Sequence, residues 1–364
     1  MTALTHDVAR ARLGQGLAFA LVSAASFGAS GSLARGLLDA GWSAGAATLI
    51  RVAIAAVALA VPAVLAMRGR WHLLRSTWPT IVAYGVFAVA GCQLFYFMAV
   101  GHLDVGVALL IEYMAPVVVI GWMWITQGSR PGALTLGGAL LAMAGMVLLL
   151  DLIGGAGTVD LVGVGWAMLA MVGASVYFVI GGDTSTGLPP VMLAWGGLVV
   201  ASIVLTVAAA TGLVPFAAVL GAVQLLPLAV PWWVAAGVLG VVTAAIAYVA
   251  GIAATRRLGA RLGSFVSLTE VIAAATFAWL LLGQAPAPIQ FAGAALILGG
   301  VILVKLGEPA AETTAITPQQ VPDAMPDAIP AAVLAEVAAG EGIEADRPVA
   351  GAEPAGIAAD ASRR

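Results

Sequence analysis

Apolar residues gather into runs of about twenty along most of this chain, separated by short polar punctuation as far as residue 305. A run of that length, at about 1.5 Å rise per residue, spans the roughly 30 Å hydrocarbon core of a bilayer. The runs fall near 14–34, 43–66, 79–100, 105–126, 133–152, 161–181, 190–211, 232–253, 262–283 and 287–305. They predict an all-α integral membrane protein with ten transmembrane helices. The first run follows Arg10 and Arg12 and ends in small residues (GASGS), as a secretory signal would, but its pattern returns later in the chain and it is read as a helix. Residues Thr211 to Val230 carry no charge and read either as a long outer loop or as a short interfacial helix.

The pattern also repeats. A shift of 155 residues lays Leu136–Leu149 (LGGALLAMAGMVLL) on Phe291–Val304 (FAGAALILGGVILV), matching Gly138 to Gly293 and Gly145 to Gly300. The same shift sets Gly128 on Gly283 and Pro131 on Pro286, and a shift of 149 sets Gly16 on Gly165 and Ala25, Ser26 on Ala174, Ser175. Each unit holds five spans, an odd number, so the second enters the membrane from the opposite face. The expected organisation is a segment 1–13, a first five-helix repeat 14–152, an outer connection 153–160, a second repeat 161–305 and a tail 306–364. Inverted repeats of this kind place a binding site at the repeat interface near the midplane.

Composition agrees with a membrane body and narrows the chemistry. With 62% hydrophobic and 9% charged residues and a mean hydropathy of +1.06, the chain is far from the quarter-charged composition of soluble domains. Basic residues cluster between alternate spans (Arg68, Arg70, Arg75, Arg130, Arg256, Arg257, Arg261, Lys305), leaving only Arg35 on the other side. The positive-inside rule then puts both termini in the cytoplasm. Met67–Trp78 (MRGRWHLLRSTW) reads as a basic turn on the inner leaflet, and Trp71, Trp78, Trp232 and Trp233 as an interfacial belt. The tail from Gly307, with ten acidic and three basic residues and almost no aromatic ones, is expected to be disordered. Arginine outnumbers lysine fourteen to one amid abundant Ala, Gly and Val, the composition of a GC-rich bacterial genome. The bacterial cytoplasmic membrane is the expected location.

Cys92 is the single cysteine, the three histidines are scattered, and no CxxC or HExxH occurs, so no metal or other cofactor is implied. A nucleotide loop and a nucleophile with its base are also missing, which argues against an enzyme, and no nucleic-acid partner is implied. Three ionisable residues lie inside spans: Arg51, Glu112 and Glu270. A charge at that depth is costly and marks a functional site by default. Arg51 and Glu112 each sit about eight residues from the outer end of their helices, a matching depth that lets them pair. Glu270 has no arginine in the matching place of its own half, where Leu198–Ala201 stand. It is the candidate proton-linked site, or else a neutral acid bonded to Tyr248, Thr269 or Tyr177. Phe95, Tyr96, Tyr113, Tyr177 and Tyr248 fall near the depths of the acids and can line a cavity between helices three, four, eight and nine. Pro116 removes a backbone bond one turn past Glu112, and because its counterpart is Val271 the kink is not expected to be duplicated.

Ten spans in two inverted units, Arg51 in TLIRVAIAA, the LIEYMAPV and LTEV segments, and the GGALLAMAG and GAALILGG ends together resemble the EamA family of the drug/metabolite transporter superfamily. The resemblance covers residues 14–305. It implies an inner-membrane carrier of amino acids, related metabolites or toxic small molecules, often an exporter. Members commonly carry a GE pair after helices four and nine; this chain has Gly128, Ser129 and Gly283, Gln284. The reading is therefore a secondary transporter of small organic solutes by alternating access, with a zwitterion or an amine suiting two acids and one arginine. Its expected partners are that solute, the lipid bilayer and, where coupled, protons. An uncoupled facilitator is the alternative, with a non-transporting sensor or scaffold further off, and a homo-oligomer is neither required nor excluded.

Overall fold

The computed structural model describes residues 2–103, 105–150, 152, 160–225, 228–283 and 285–307. The expectation of a disordered tail falls on residues 308–364, outside the described residues, as does most of the 153–160 connection. Helices form wherever the apolar runs predict them: α1 (Thr2–Asp39), α2 (Ala44–Ala66), α3 (His72–Val100), α4a and α4b (Val105–Glu112 and Ala115–Gln127), α5 (Ala133–Leu149), α6 (Leu161–Gly182) and α7 (Pro190–Ala210). Residues Trp232–Ser267 are helical save at Gly259, whose φ of 82° and ψ of 160° break the rod. That break separates α8 (232–258) from α9a (260–267), which continues into α9b (Thr269–Leu282), and α10 is Pro288–Leu306. Eight helical segments are long and apolar enough to cross a bilayer, and the shorter α5 and the divided α9 complete the ten.

Local chemistry sets the ends. Ser43 accepts from the Ala46 amide at 3.1 Å to cap α2, and Asp160 accepts from the Val162 amide at 2.9 Å to cap α6. Pro190 and Pro288 open α7 and α10, where a missing N–H costs nothing. Gly128 (φ 65°) and Gly283 (φ 71°), partners under the 155-residue shift, end α4b and α9b in the same left-handed turn. Each donates its amide 3.1 Å to a carbonyl four residues back, Trp124 and Trp279. The polar segment before the first span holds no breaker, so α1 begins at Thr2 and runs on without a separate polar arm.

Inversion is visible where equivalent helices meet. A Cβ added to Gly138 would lie 2.7 Å from the Gly300 carbonyl, and one on Gly145 2.7 Å from that of Gly293. Helices α5 and α10 therefore cross antiparallel and backbone to backbone, held by close packing that only glycine allows in lipid. The other first-half helices exchange partners in the same way. Helix α1 packs on α8 and α9, α6 packs on α3 and α4, and α2 packs on α7. Two three-helix bundles result, α1/α8/α9 and α3/α4/α6, flanked by the α2/α7 and α5/α10 pairs.

Two local features recur in both halves. Tyr84–Gly91 in α3 and Val241–Ile246 in α8 are wide π-helical turns, and Gly91 falls on Ile246 under the 155 shift, so both end at one repeat position. Such turns store an extra residue and are common at functional sites. The break in α4 at Tyr113–Met114 likewise falls on the break in α9 at Leu268–Thr269. The kink expected to be single is thus duplicated. Pro116 is only the second residue of α4b, and what recurs is the interruption of the backbone ladder, which Val271 does not prevent.

Residues 211–231 form neither a plain loop nor a helix. They close on an antiparallel hairpin, β1 (Ala222–Leu225) with β2 (Leu228–Pro231), paired Val223 to Val230 and Gln224 to Ala229. The segment is strapped to the α1–α2 corner. Trp42 donates its indole N–H to the Val219 carbonyl at 2.8 Å, and the Ser43 hydroxyl donates to Pro215 at 2.9 Å. Gly36 on α1 lies directly under the Gln224 carbonyl, where any side chain would collide.

Candidate functional site

Between the two bundles lies a cavity enclosing about 870 Å³ of empty space, including its mouth. The π-helical turns deliver its central polar pair, since Cys92 and Gln93 follow the first turn and Ala247 and Tyr248 the second. Gln93 and Tyr248 are repeat partners, and their side chains meet on the pseudo-twofold axis. The helix breaks bring the acids in. Glu112 ends α4a and accepts from the Cys92 thiol at 3.2 Å, while Glu270 lies in the first turn of α9b and accepts from the Tyr113 hydroxyl at 2.9 Å. Across the cavity, the Ser23 hydroxyl donates to the Ala247 carbonyl at 2.9 Å.

Aromatic rings form much of the wall. Phe27 meets Tyr248 edge-on at 5.1 Å between centroids, and Tyr177 meets Tyr248 at 5.9 Å and Phe178 at 4.9 Å. The Tyr177 hydroxyl rests beside Ser23 without reaching hydrogen-bond geometry. It can do so only because position 251 on α8 is glycine. A Cβ there would fall onto that hydroxyl and 2.8 Å from Ser23 Oγ.

The sequence-expected site residues divide cleanly. Glu112, Tyr113, Pro116, Tyr177, Tyr248 and Glu270 all line the cavity. Tyr96 does not; it packs with Ala99, Leu103, Ala108 and Ala167 in a separate cluster, and Phe95 stacks on Trp166 at 5.8 Å. Neither is among the lining residues, for they face other helices around the α3 axis.

Arg51 is corrected more deeply. It is buried on α2 outside the cavity lining, and the ion pairs among the described residues are Arg35–Asp39 and His102–Asp160, so it forms none with Glu112. Its electrostatic neighbours are Tyr248, Glu270 and Cys92. The acid without a cation in its own half therefore has one from the other half. The cause is the exchange of partners, for α2 packs against α8, in the bundle that holds Glu270. Glu270 also bonds to Tyr113 rather than to Tyr248, Thr269 or Tyr177.

The α1 wall went unread in the sequence, and of the α6 wall only Tyr177 was read. Helices α1 and α6 contribute Ala20, Ser23, Ala24 and Phe27, and Ala174, Tyr177 and Phe178, so six helices and not four enclose the cavity. A signal for this was present: Ala25, Ser26 and Ala174, Ser175 mark the repeat, and small residues in the first helix of each unit admit close packing. No Lys, Arg or His is among the lining residues. Among the described residues, no group of three or more His, Cys, Asp or Glu is arranged to hold a metal.

Two inverted five-helix units around a central polar cavity define the class of multi-pass membrane transporters built on inverted repeats. The model of the EamA-like transporter family matches residues 14–151 and 161–306, and the chain belongs to that family. No curated protein matches it. Twenty-seven solved chains do, among them a crystal structure with a TM-score of 0.64 that is 21% identical and covers 81% of this chain and 98% of its own. That likeness is one of fold.

Proposed function

We propose that the protein is a secondary transporter that exports small organic amines, metabolites or toxic compounds, across the bacterial cytoplasmic membrane by alternating access linked to protons. One observation carries the choice of substrate. The cavity joins two carboxylates, Glu112 and Glu270, to the rings of Phe27, Tyr113, Tyr177, Phe178 and Tyr248, with no cationic side chain in its lining. A desolvated ammonium is attracted both to carboxylates and to aromatic faces, the latter by roughly 0.5–2 kcal/mol per ring. An anionic solute would find no fixed cation at the wall. With Arg51 behind Tyr248 and not in the lining, an amine fits better than a zwitterion.

Glu270 is the proton-linked group in this reading. Its carboxyl accepts from Tyr113 on the opposite bundle, so it loses that partner whenever the bundles part. The distribution of basic residues puts the α8–α9 turn and both termini on the cytoplasmic side. The test is flux of a panel of amines, amino acids and organic anions in proteoliposomes with and without a pH gradient. Amines should move, driven by the gradient, and Glu270→Gln should lose the gradient-driven component. Transport of anions in preference to amines refutes the substrate class, and amine flux indifferent to the gradient identifies an uncoupled facilitator.

A further inference from the structure

The two bundles are joined unequally at their two ends. At the end carrying the α8–α9 turn, Arg256 on α8 donates to the carbonyls of Leu188 and Gly181, which belong to the α6–α7 connection and the end of α6. Arg261 on α9a donates to the Ser129 hydroxyl at 2.6 Å and to its carbonyl at 3.4 Å, in the turn between α4b and α5. Gly182 adds a close approach, since a Cβ there would lie 3.2 Å from Thr255 and 3.5 Å from Ala260. Both arginines thus reach from the α1/α8/α9 bundle to the α3/α4/α6 bundle. From the layer of Gln93, Tyr113, Tyr248 and Glu270 to the opposite end, no hydrogen bond or ion pair joins the bundles among the described residues.

The repeat makes this asymmetry informative. Under the 155 shift Arg256 falls on Gly101 and Arg261 on Gly106, so the equivalent turn of the first half has no guanidinium to offer. Nor is the arginine clamp permanent in kind. It grips carbonyls and a hydroxyl rather than carboxylates, and it leaves Arg256 Nη2 and Arg261 Nε buried without a partner. Unsatisfied buried donors keep a contact near the point of release.

We propose that Arg256 and Arg261 form the gate at the α8–α9 end of the pathway, shutting the cavity on the side where its lining runs from Tyr248 to Thr255 and Gly263, and that this gate, having no counterpart at the other end, is closed in the resting state. The proposal rests on the transporter reading. Its test reads conformation without transport, because the single cysteine, Cys92, lines the cavity. A membrane-impermeant methanethiosulfonate is applied to either face of oriented vesicles. Ser185→Cys with Cys92→Ala reports which face carries the α6–α7 connection, where Ser185 is exposed.

In the unsubstituted protein, Cys92 should react slowly from the Ser185 face. Arg256→Ala with Arg261→Ala should raise its reaction from the Ser185 face by roughly tenfold or more, as loss of hydrogen bonds to charged groups implies. Ser129→Ala, which removes one acceptor and no charge, should move the rate the same way by less and guards against a misfolded double variant. Equal or absent reaction from the Ser185 face in both variants overturns the gate. Rapid reaction of the unsubstituted protein from the Ser185 face overturns the shut resting state. Either result leaves the transporter reading to be judged by the flux assay alone.

Discussion

Gly251→Ala tests whether the cavity wall depends on one missing methyl group. The new Cβ would coincide with the Tyr177 hydroxyl and stand 2.8 Å from Ser23 Oγ and 3.2 Å from Tyr177 Cζ. Helix propensity alone favours alanine by roughly 1 kcal/mol. Overpacking of a tight site costs roughly 1–3 kcal/mol. A net destabilisation of up to about 2 kcal/mol is expected, with a smaller cavity and weaker substrate binding. Tyr177→Phe removes the atom the methyl would strike and forfeits no hydrogen bond of sound geometry. In that background Gly251→Ala should cost about half as much, a coupling of up to about 1 kcal/mol. Thermal unfolding of the four proteins of the cycle in detergent measures it, with ligand-induced stabilisation as the second readout. If Gly251→Ala costs the same with and without the Tyr177 hydroxyl, the reasoning fails.

Three further outcomes follow from the geometry. Gly293→Ala would put a methyl 2.7 Å from the Gly145 carbonyl and 2.5 Å from the Leu149 amide nitrogen, backbone that cannot move aside, and should lower the melting temperature in line with a loss of roughly 1–3 kcal/mol. Gly137→Ala, with nothing within 4 Å of its Cβ and the same helix propensity in its favour, should not lower the melting temperature and should raise it slightly. Tyr113→Phe removes the donor to Glu270 but keeps the ring, so amine flux should persist with an altered pH profile, whereas Glu270→Gln should abolish gradient-driven flux; identical profiles would separate Tyr113 from the coupling. Outside the membrane, the Val162 amide first, and then His102, hold the Asp160 carboxyl below the usual carboxylate range. Because its folded pKa is depressed, its contribution is present above the unfolded value and fades as the pH falls through the folded one. Asp160→Ala should therefore lower the melting temperature at neutral pH, and the difference should vanish in strong acid.

Ten helices, the duplicated glycines and the presence of charges inside the spans could all be read from the chain, because hydrophobic length, spacing and small-residue patterns are one-dimensional quantities. The pairing of Gly128 with Gly283 even anticipated a shared helix end, since a left-handed cap demands the same residue in both halves. Depth, however, is only one coordinate of three. Arg51 and Glu112 were matched by depth, but the Arg51 backbone packs at Gly240, eight residues along α8 from Tyr248, while Glu112 meets Cys92; Tyr96 turns toward another cluster. Azimuth around each helix and the choice of neighbouring helix come from packing. In an inverted repeat packing crosses the halves, which carried Arg51 to Glu270, brought α1 and α6 into the cavity wall and paired Gln93 with Tyr248. The π-helical turns and the hairpin were hidden for a related reason. Each is a local backbone departure stabilised by contacts far away in the chain, such as Val223 against α1 at Gly36, and no nearby residue announces it. The sequence by itself determined a membrane protein of two inverted five-helix units with acids inside the spans; only the tertiary structure decided which acid meets which partner, and at which end the bundles are held shut.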